Sequence, residues 1–183
     1  MTAHPLADLS VLDQYAADPF PPGYPTDHRL FCAPRDNCHD ALVYVLGTFQ
    51  SSFVLAMYGY TDPGLVQATI DVVNSGIPSL VVLDSSELTA TEARVLVPLL
   101  ALRSTAKNLR LSVGTSEDDA IMHDKVVVGD GSIVCTGSTN WSLSGEGKQD
   151  NHLVVGIWPS DAAKLTTRLE AVYAYQMSHC TQP

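Results

Sequence analysis

The sequence predicts an α/β sandwich, a mixed β-sheet flanked by helices, on two observations. Short runs rich in Val, Ile and Leu alternate with segments whose apolar residues recur at helical spacing. Between 122 and 136, two such runs are joined directly by Gly129-Asp130-Gly131-Ser132, which reads as a hairpin turn.

Each element follows from local chemistry. Residues 1–28 are rich in Pro and Asp, as in Asp18-Pro-Phe-Pro-Pro-Gly-Tyr-Pro25, and are expected to be an irregular arm and not a packed element. The domain proper is expected over 29–183. A strand at 29–33 ends at Pro34, and Asn37 caps a helix over 38–48. Residues 52–58 form a fully apolar strand of the buried kind. Asp62-Pro63 opens the next helix, with Asp at the cap and Pro in the first turn, and Ser75-Gly76 stops it. A third strand covers 80–83 and ends at Asp84. A long helix is expected over 89–105, kinked at Pro98. Strands follow at 108–113, 122–128, 133–136 and 153–157, and an amphipathic helix over 162–177 closes the fold.

At 183 residues, 45% hydrophobic and 16% charged, the composition is that of a single globular domain with a sizeable core. It excludes disordered and fibrous classes. The longest apolar run, 95–102, contains Pro98, stops at Arg103 and is too short to span a bilayer. The first ten residues lack the basic and apolar regions of a secretory leader, so a cytoplasmic location is expected. Four cysteines are too few and too scattered for a disulfide scaffold. Cys32 and Cys38 flank a Pro-Arg-Asp-Asn turn and are read as reduced thiols, a bridge being the alternative in an oxidising compartment. No metal or cofactor is expected: there is no second cysteine pair, and His39 beside Cys38 is a poor ligand set for zinc.

The chemistry concentrates in one stretch. His123-Asp-Lys-Val-Val-Val-Gly-Asp130 is followed by Gly137-Ser138-Thr139-Asn140, a skeleton H-x-K-x₄-D-x₆-G-S-x-N. On the expected strand 122–128, His123 and Lys125 are two apart and share a face of the sheet. The return strand delivers Gly137, Ser138 and Asn140 near the same end. Glycine lets the backbone approach an anion, while Ser138 and Asn140 add neutral donors. A titratable imidazole, a fixed cation and small donors are what is needed to grip a phosphodiester and attack its phosphorus. Phosphoryl chemistry depends mainly on positioning and charge stabilisation.

Chance gives about 0.01 copies of H-x-K-x₄-D in a chain of this composition, and about 10⁻⁶ once G-S-x-N is required at its offset. The pattern resembles the HKD signature of the phospholipase D superfamily. The flanking Ile121-Met-His-Asp-Lys-Val-Val-Val128 and Cys135-Thr-Gly-Ser-Thr-Asn-Trp141 are most similar to its small bacterial endonuclease branch. The resemblance covers roughly residues 29–177, at motif level 121–151, and implies the same α/β sandwich. It also implies a metal-independent mechanism. One motif histidine attacks phosphorus to give a phosphohistidine; a second protonates the leaving oxygen and then activates water. Carried over, His123 is the nucleophile, Lys125, Asn140 and Ser138 clamp the non-bridging oxygens, and Gly137 lies beside them. The acidic residue that orients the imidazole is matched by Asp150, where relatives usually carry Glu. Asp130 belongs to the motif's catalytic set but sits in the turn, and is expected to fix the hairpin instead of moving protons.

That chemistry uses two histidines, and this chain has one copy of the motif. His4, His28, His39, His152 and His179 all lack a lysine two residues on. The resemblance therefore implies a homodimer with one site on its two-fold axis, each subunit contributing His123. Of the other residues, Tyr58 and Tyr60 are candidates for substrate contact, against a commoner role in the core. Trp141 is expected to pack, and His152 to be structural.

Formal net charge is −10, which disfavours avid, free-standing binding to a polyanion. Three readings stay open: a local basic groove, a partner protein that supplies nucleic-acid affinity within a larger processing or defence complex, or a small or unusual phosphodiester substrate. The first function expected is a nuclease acting on DNA or RNA. The alternatives are a phospholipid phosphodiesterase, for which no basic amphipathic helix is evident, and a non-catalytic phosphate-binding module.

Overall fold

The structure, a computed structural model, describes residues 4–89 and 91–183. Seven strands form one sheet: β1 (His28–Ala33), β2 (Phe53–Met57), β3 (Ser79–Asp84), β4 (Leu109–Gly114), β5 (Lys125–Gly129), β6 (Ile133–Gly137) and β7 (Asn151–Ile157). Their order across the sheet is β1-β7-β6-β5-β2-β3-β4. β2, β3 and β4 run parallel, and every pairing from β2 through β5, β6 and β7 to β1 is antiparallel. The sheet is therefore mixed, as expected.

Helices cover both faces. On one side α1 (Cys38–Leu46), α2 (Pro63–Asn74) and α3 (Val97–Ala101) pack Leu42, Leu65 and Leu99 against Leu55, Val81 and Val127. On the other, α5 (Pro159–His179) packs Ala162, Leu169 and Val172 against Val54, Leu80 and Val126. Successive residues of the central strands thus point into two different cores. This is why these segments read as unbroken apolar runs and not as alternating ones. The caps lie where the sequence puts them: Asn37 accepts from the Asp40 amide at 3.1 Å, and Asp62 from the Leu65 amide at 2.9 Å.

Three elements depart from expectation. The helix expected over 89–105 is broken into 3₁₀ turns at Ser86–Thr89, Thr91–Leu96 and Leu102–Ser104 around the five-residue α3; position 90 lies outside the described residues. Pro98 has no amide proton to extend a preceding helix, so the helix restarts with Pro98 in its first turn. A short helix not foreseen, α4 (Leu143–Gly147), follows the motif and is capped by Ser142. The N-terminal segment, of which residues 1–3 lie outside the description, is packed and not a loose arm. Leu9–Tyr15 is a 3₁₀ helix, and Leu6, Leu9 and Leu12 are buried in the core. Their three-residue spacing is the period of a 3₁₀ helix, a signal masked by the prolines that follow. Arg29, itself buried, locks the segment down: it donates to Asp13 at 2.6 Å and lies over the rings of Phe20 and Tyr24.

All four cysteines are free thiols, with Cys38 buried and Cys32 exposed. Among the described residues no helix is long and apolar enough to cross a membrane. Because the N-terminal leucines fill core volume, Leu9→Ala is expected to destabilise the fold by about 2–5 kcal/mol. A urea titration followed by circular dichroism measures this directly; an unchanged midpoint contradicts the packing assigned to the segment.

Candidate active site

The motif sits where β5 begins beside the end of β2. Lys125 is directly opposite Met57, and the Tyr58 amide donates to the Asp124 carbonyl at 2.9 Å. Tyr58 lies between the two chemical groups. Its ring centroid is 4.6 Å from that of the exposed His123 imidazole and 4.9 Å from Lys125 Nζ. The ammonium, carried by a side chain only 9% exposed, also donates to the His123 carbonyl at 3.0 Å. Ring face and carbonyl hold a cation beside the His123 main chain in a partly desolvated place, where its field is strong.

The second half of the motif arrives through Trp141. Its amide donates to the Gly59 carbonyl at 2.8 Å, and its carbonyl accepts from the Thr61 and Asp62 amides at 2.7 and 2.9 Å. Tyr60 packs edge-on against the indole at 5.2 Å. The adjacent Asn140 is thereby pressed onto Gly59, so closely that a Cβ there would stand 2.9 Å from Asn140 Cγ. Asn140 Oδ1 is buried with no hydrogen-bond partner. His123, Lys125 and Asn140 thus gather around the Tyr58-Gly59 pair, with part of the amide uncommitted to the protein.

Other assignments change. β5 starts only at Lys125, so His123 does not share a strand face with it as the spacing suggested. The cause is Asp84, at the end of β3, which accepts the Met122 amide at 2.6 Å and draws the chain off the sheet just before His123. Asp84 is 1% exposed. An acidic residue at the carboxyl end of a buried parallel strand was the available signal.

Asp130, counted with the motif's catalytic set, stands at the opposite end of β5, about 15 Å of strand away. It accepts from the Gln50, Ser51 and Ser52 amides, from Ser51 Oγ and from His4, and so ties the hairpin turn to the β2 entry. Burial pushes its pKa up, but the Ser51, Ser52 and His4 bonds prevail and hold it below the ordinary value of 3.8.

Ser138 Oγ donates to Asn151 Oδ1 at 2.8 Å and accepts from the His152 amide at 3.1 Å, so its hydroxyl is used within the loop. Asn151 was not foreseen in this role. Gly137 has a steric reason to be glycine, because a Cβ would collide with the His152 carbonyl oxygen. Asp150 is exposed and has no hydrogen bond or ion pair to His123 within the chain, so the expected orientation of the imidazole is not seen there. Trp141 and Tyr60 are core residues that set the loops, while Tyr58 is part of the site. A separate group, His39 with Asp62 and Glu146, lies behind the Trp141 loop and has the make-up of a metal site.

These groups stand at the rim of a mixed α/β sandwich, and the chain belongs to the phospholipase D-like family. The family described as "Cardiolipin synthase, PLD-like domain" matches residues 43–173, from α1 to α5. A mitochondrial cardiolipin hydrolase of Xenopus tropicalis is 24% identical over 108 residues, 59% of this chain and 48% of that protein. This match therefore spans about half of the relative's length. The fold is shared with Nuc, a phospholipase D family member from Salmonella typhimurium, at a TM-score of 0.70 and 19% identity over 80% of this chain and 93% of Nuc. NucT from Helicobacter pylori superposes at 0.68, also 19% identical, over 85% and 98%. TrmBL2, an archaeal chromatin protein with a reported mode of DNA binding, superposes at 0.59 and 14% identity over 82% of this chain and 54% of its own.

Two outcomes follow from the geometry. Asp84→Ala removes the acceptor of the Met122 amide, and hydrogen exchange should show faster exchange across 121–124 with β5 still protected; unchanged exchange rules out the anchor. Asp130→Asn should cost about 1–3 kcal/mol at neutral pH. A depressed carboxylate pKa stabilises the fold above the unfolded value and loses that contribution as pH falls through the folded value. The difference between parent and variant in urea should therefore shrink below about pH 3.8.

Proposed function

We propose that this chain is a metal-independent phosphodiesterase that cleaves DNA or RNA through a phosphohistidine on His123, at a site completed by a second copy across a two-fold axis. One observation carries the reading. His123 is exposed at the rim of the sheet, and the Lys125 ammonium is held close by through its bond to the His123 carbonyl and the ring face of Tyr58. An exposed imidazole with a cation close by supports a role in attack on phosphorus, and its exposure is compatible with a second copy approaching it. In the first step an imidazole nitrogen forms the P–N bond while the P–O bond to the leaving strand breaks. His123 of the second copy gives its proton to the leaving oxygen. In the second step that imidazole takes a proton from water, the hydroxide forms a new P–O bond and the P–N bond breaks. Lys125 and Asn140 neutralise and hold the non-bridging oxygens. Ser138 serves chiefly by fixing the loop that carries Asn140.

A nucleic-acid substrate is supported by the residues flanking the motif, which are most similar to the small bacterial endonuclease branch. The net charge of −10 argues that a partner protein supplies most of the polyanion affinity. A phospholipid headgroup is the second reading, favoured by the names of the family and of the Xenopus relative.

The test incubates purified protein, with and without EDTA, with single-stranded DNA, duplex DNA, RNA and cardiolipin vesicles. Nucleic acid should be cut in both conditions, and His123→Ala should lose at least about 10³-fold in rate, because removal of a nucleophile leaves only binding and electrostatic effects. Cleavage of the vesicles alone would replace nucleic acid with lipid as substrate. In a separate test, parent and His123→Ala subunits are co-refolded and the mixed dimers isolated by differential tags. Mixed dimers should be inactive, and full activity in them, or in a species sedimenting as a monomer, overturns the shared site.

A further inference from the structure

Behind the Trp141 loop, three side chains from distant parts of the chain converge. His39 Nδ1, on α1, is 2.8 Å from Glu146 Oε2 on α4 and 3.4 Å from Asp62 Oδ2 at the cap of α2. The three ligand atoms all lie within 4.8 Å of one another. Both carboxylates are buried, with side-chain exposures of 1% for Asp62 and 4% for Glu146. Asp62 Oδ2 and Glu146 Oε1 have no hydrogen-bond partner at all. A single imidazole nitrogen has one proton to give and cannot satisfy two carboxylates. Leaving carboxylate oxygens dry and unpaired is costly.

We infer that His39, Asp62 and Glu146 bind one divalent transition-metal ion, zinc in the first instance, whose fourth position opens to the neighbouring cavity. The donor set is one imidazole nitrogen and two carboxylate oxygens. At zinc bond lengths of about 2.0–2.2 Å, tetrahedral donors stand about 3.3–3.6 Å apart; the 3.4 Å between His39 and Asp62 matches, and the 2.8 Å hydrogen bond between His39 and Glu146 widens when an ion replaces its proton. A cavity of about 290 Å³, lined by Asn37, His39, Leu143 and Glu146 among others, gives an ion and a water access from outside. The His39 ring fits only because Gly64 faces it; a Cβ there would stand 2.8 Å from Cε1. Burial pushes the Glu146 carboxyl up to about 7, against the downward pull of the His39 bond, so a cation and a proton compete for the same oxygens.

The position indicates what the ion does. The Asp62 amide bonds to Trp141, and Glu146 lies on the short helix that Ser142 caps immediately after it. An ion linking these residues to α1 braces the Asn140 loop from behind. Its role is structural, and chelation should affect stability without entering the proposed chemistry.

The test uses the full chain, stripped with EDTA and dialysed. Isothermal titration with zinc chloride should show one ion per chain, and added zinc should raise the melting temperature. His39→Ala and Glu146→Gln should each weaken zinc binding by more than the roughly 100-fold that an outer-shell change costs. Both variants should lose the thermal shift. Glu146→Gln keeps the shape of the side chain and remains informative should His39→Ala fail to fold. A parent protein that takes up no zinc, leaving a protonated carboxyl as the whole explanation, overturns the inference. So does zinc binding equally tight in the parent and in Glu146→Gln.

Discussion

The site depends on three main-chain hydrogen bonds of Trp141. They join the loop leaving β6 to the loop leaving β2, and no side chain of the motif takes part in them. Without them Lys125 would still stand beside Tyr58, but the Asn140 loop would be tied only to β7, through Ser138 and Thr139, and no longer to Gly59. The indole is buried and packed edge-on against Tyr60, whose hydroxyl in turn bonds to Leu65 and Thr69 of α2. Chemistry at the rim is thus fastened to a helix in the interior. A residue that contacts no substrate decides where the amide lies.

The parts of the fold legible in the sequence were those fixed by short-range chemistry. The Asn37 and Asp62 caps, the apolar runs of β2 and β3, and the β5–β6 hairpin each depend on residues within a few positions of one another. What was not legible depended on contacts across the chain. The N-terminal leucines look idle in the sequence because their partners lie on distant elements. The spacing puts His123 on a strand because nothing nearby says that Asp84 pulls Met122 away. His39 follows Cys38 in sequence, yet the cysteine faces the core while the imidazole faces residues 62 and 146, a grouping that no local spacing announces.

Within the motif the structure separates two groups of residues. His123, Lys125 and Asn140 gather around Tyr58 and Gly59. Asp130, Gly137 and Ser138 are spent on holding the hairpin and its loop in place, although they belong to the same signature. A motif can therefore stay intact in sequence because half of it is scaffolding. Asp150, matched by position, makes no hydrogen bond or ion pair to His123 among the described residues.

Gly137 carries an evolutionary consequence. The obstacle to a side chain there is the main-chain carbonyl of His152, which belongs to β7 and cannot swing aside, whereas the obstacle at Gly59 is the end of the Asn140 side chain. In a saturation library, position 137 should tolerate no residue with a Cβ, while position 59 leaves room for rescue by a shorter neighbour. Loss at 137 would look like a catalytic defect, with every reacting group still present, and would in truth be a failure of two strands to approach.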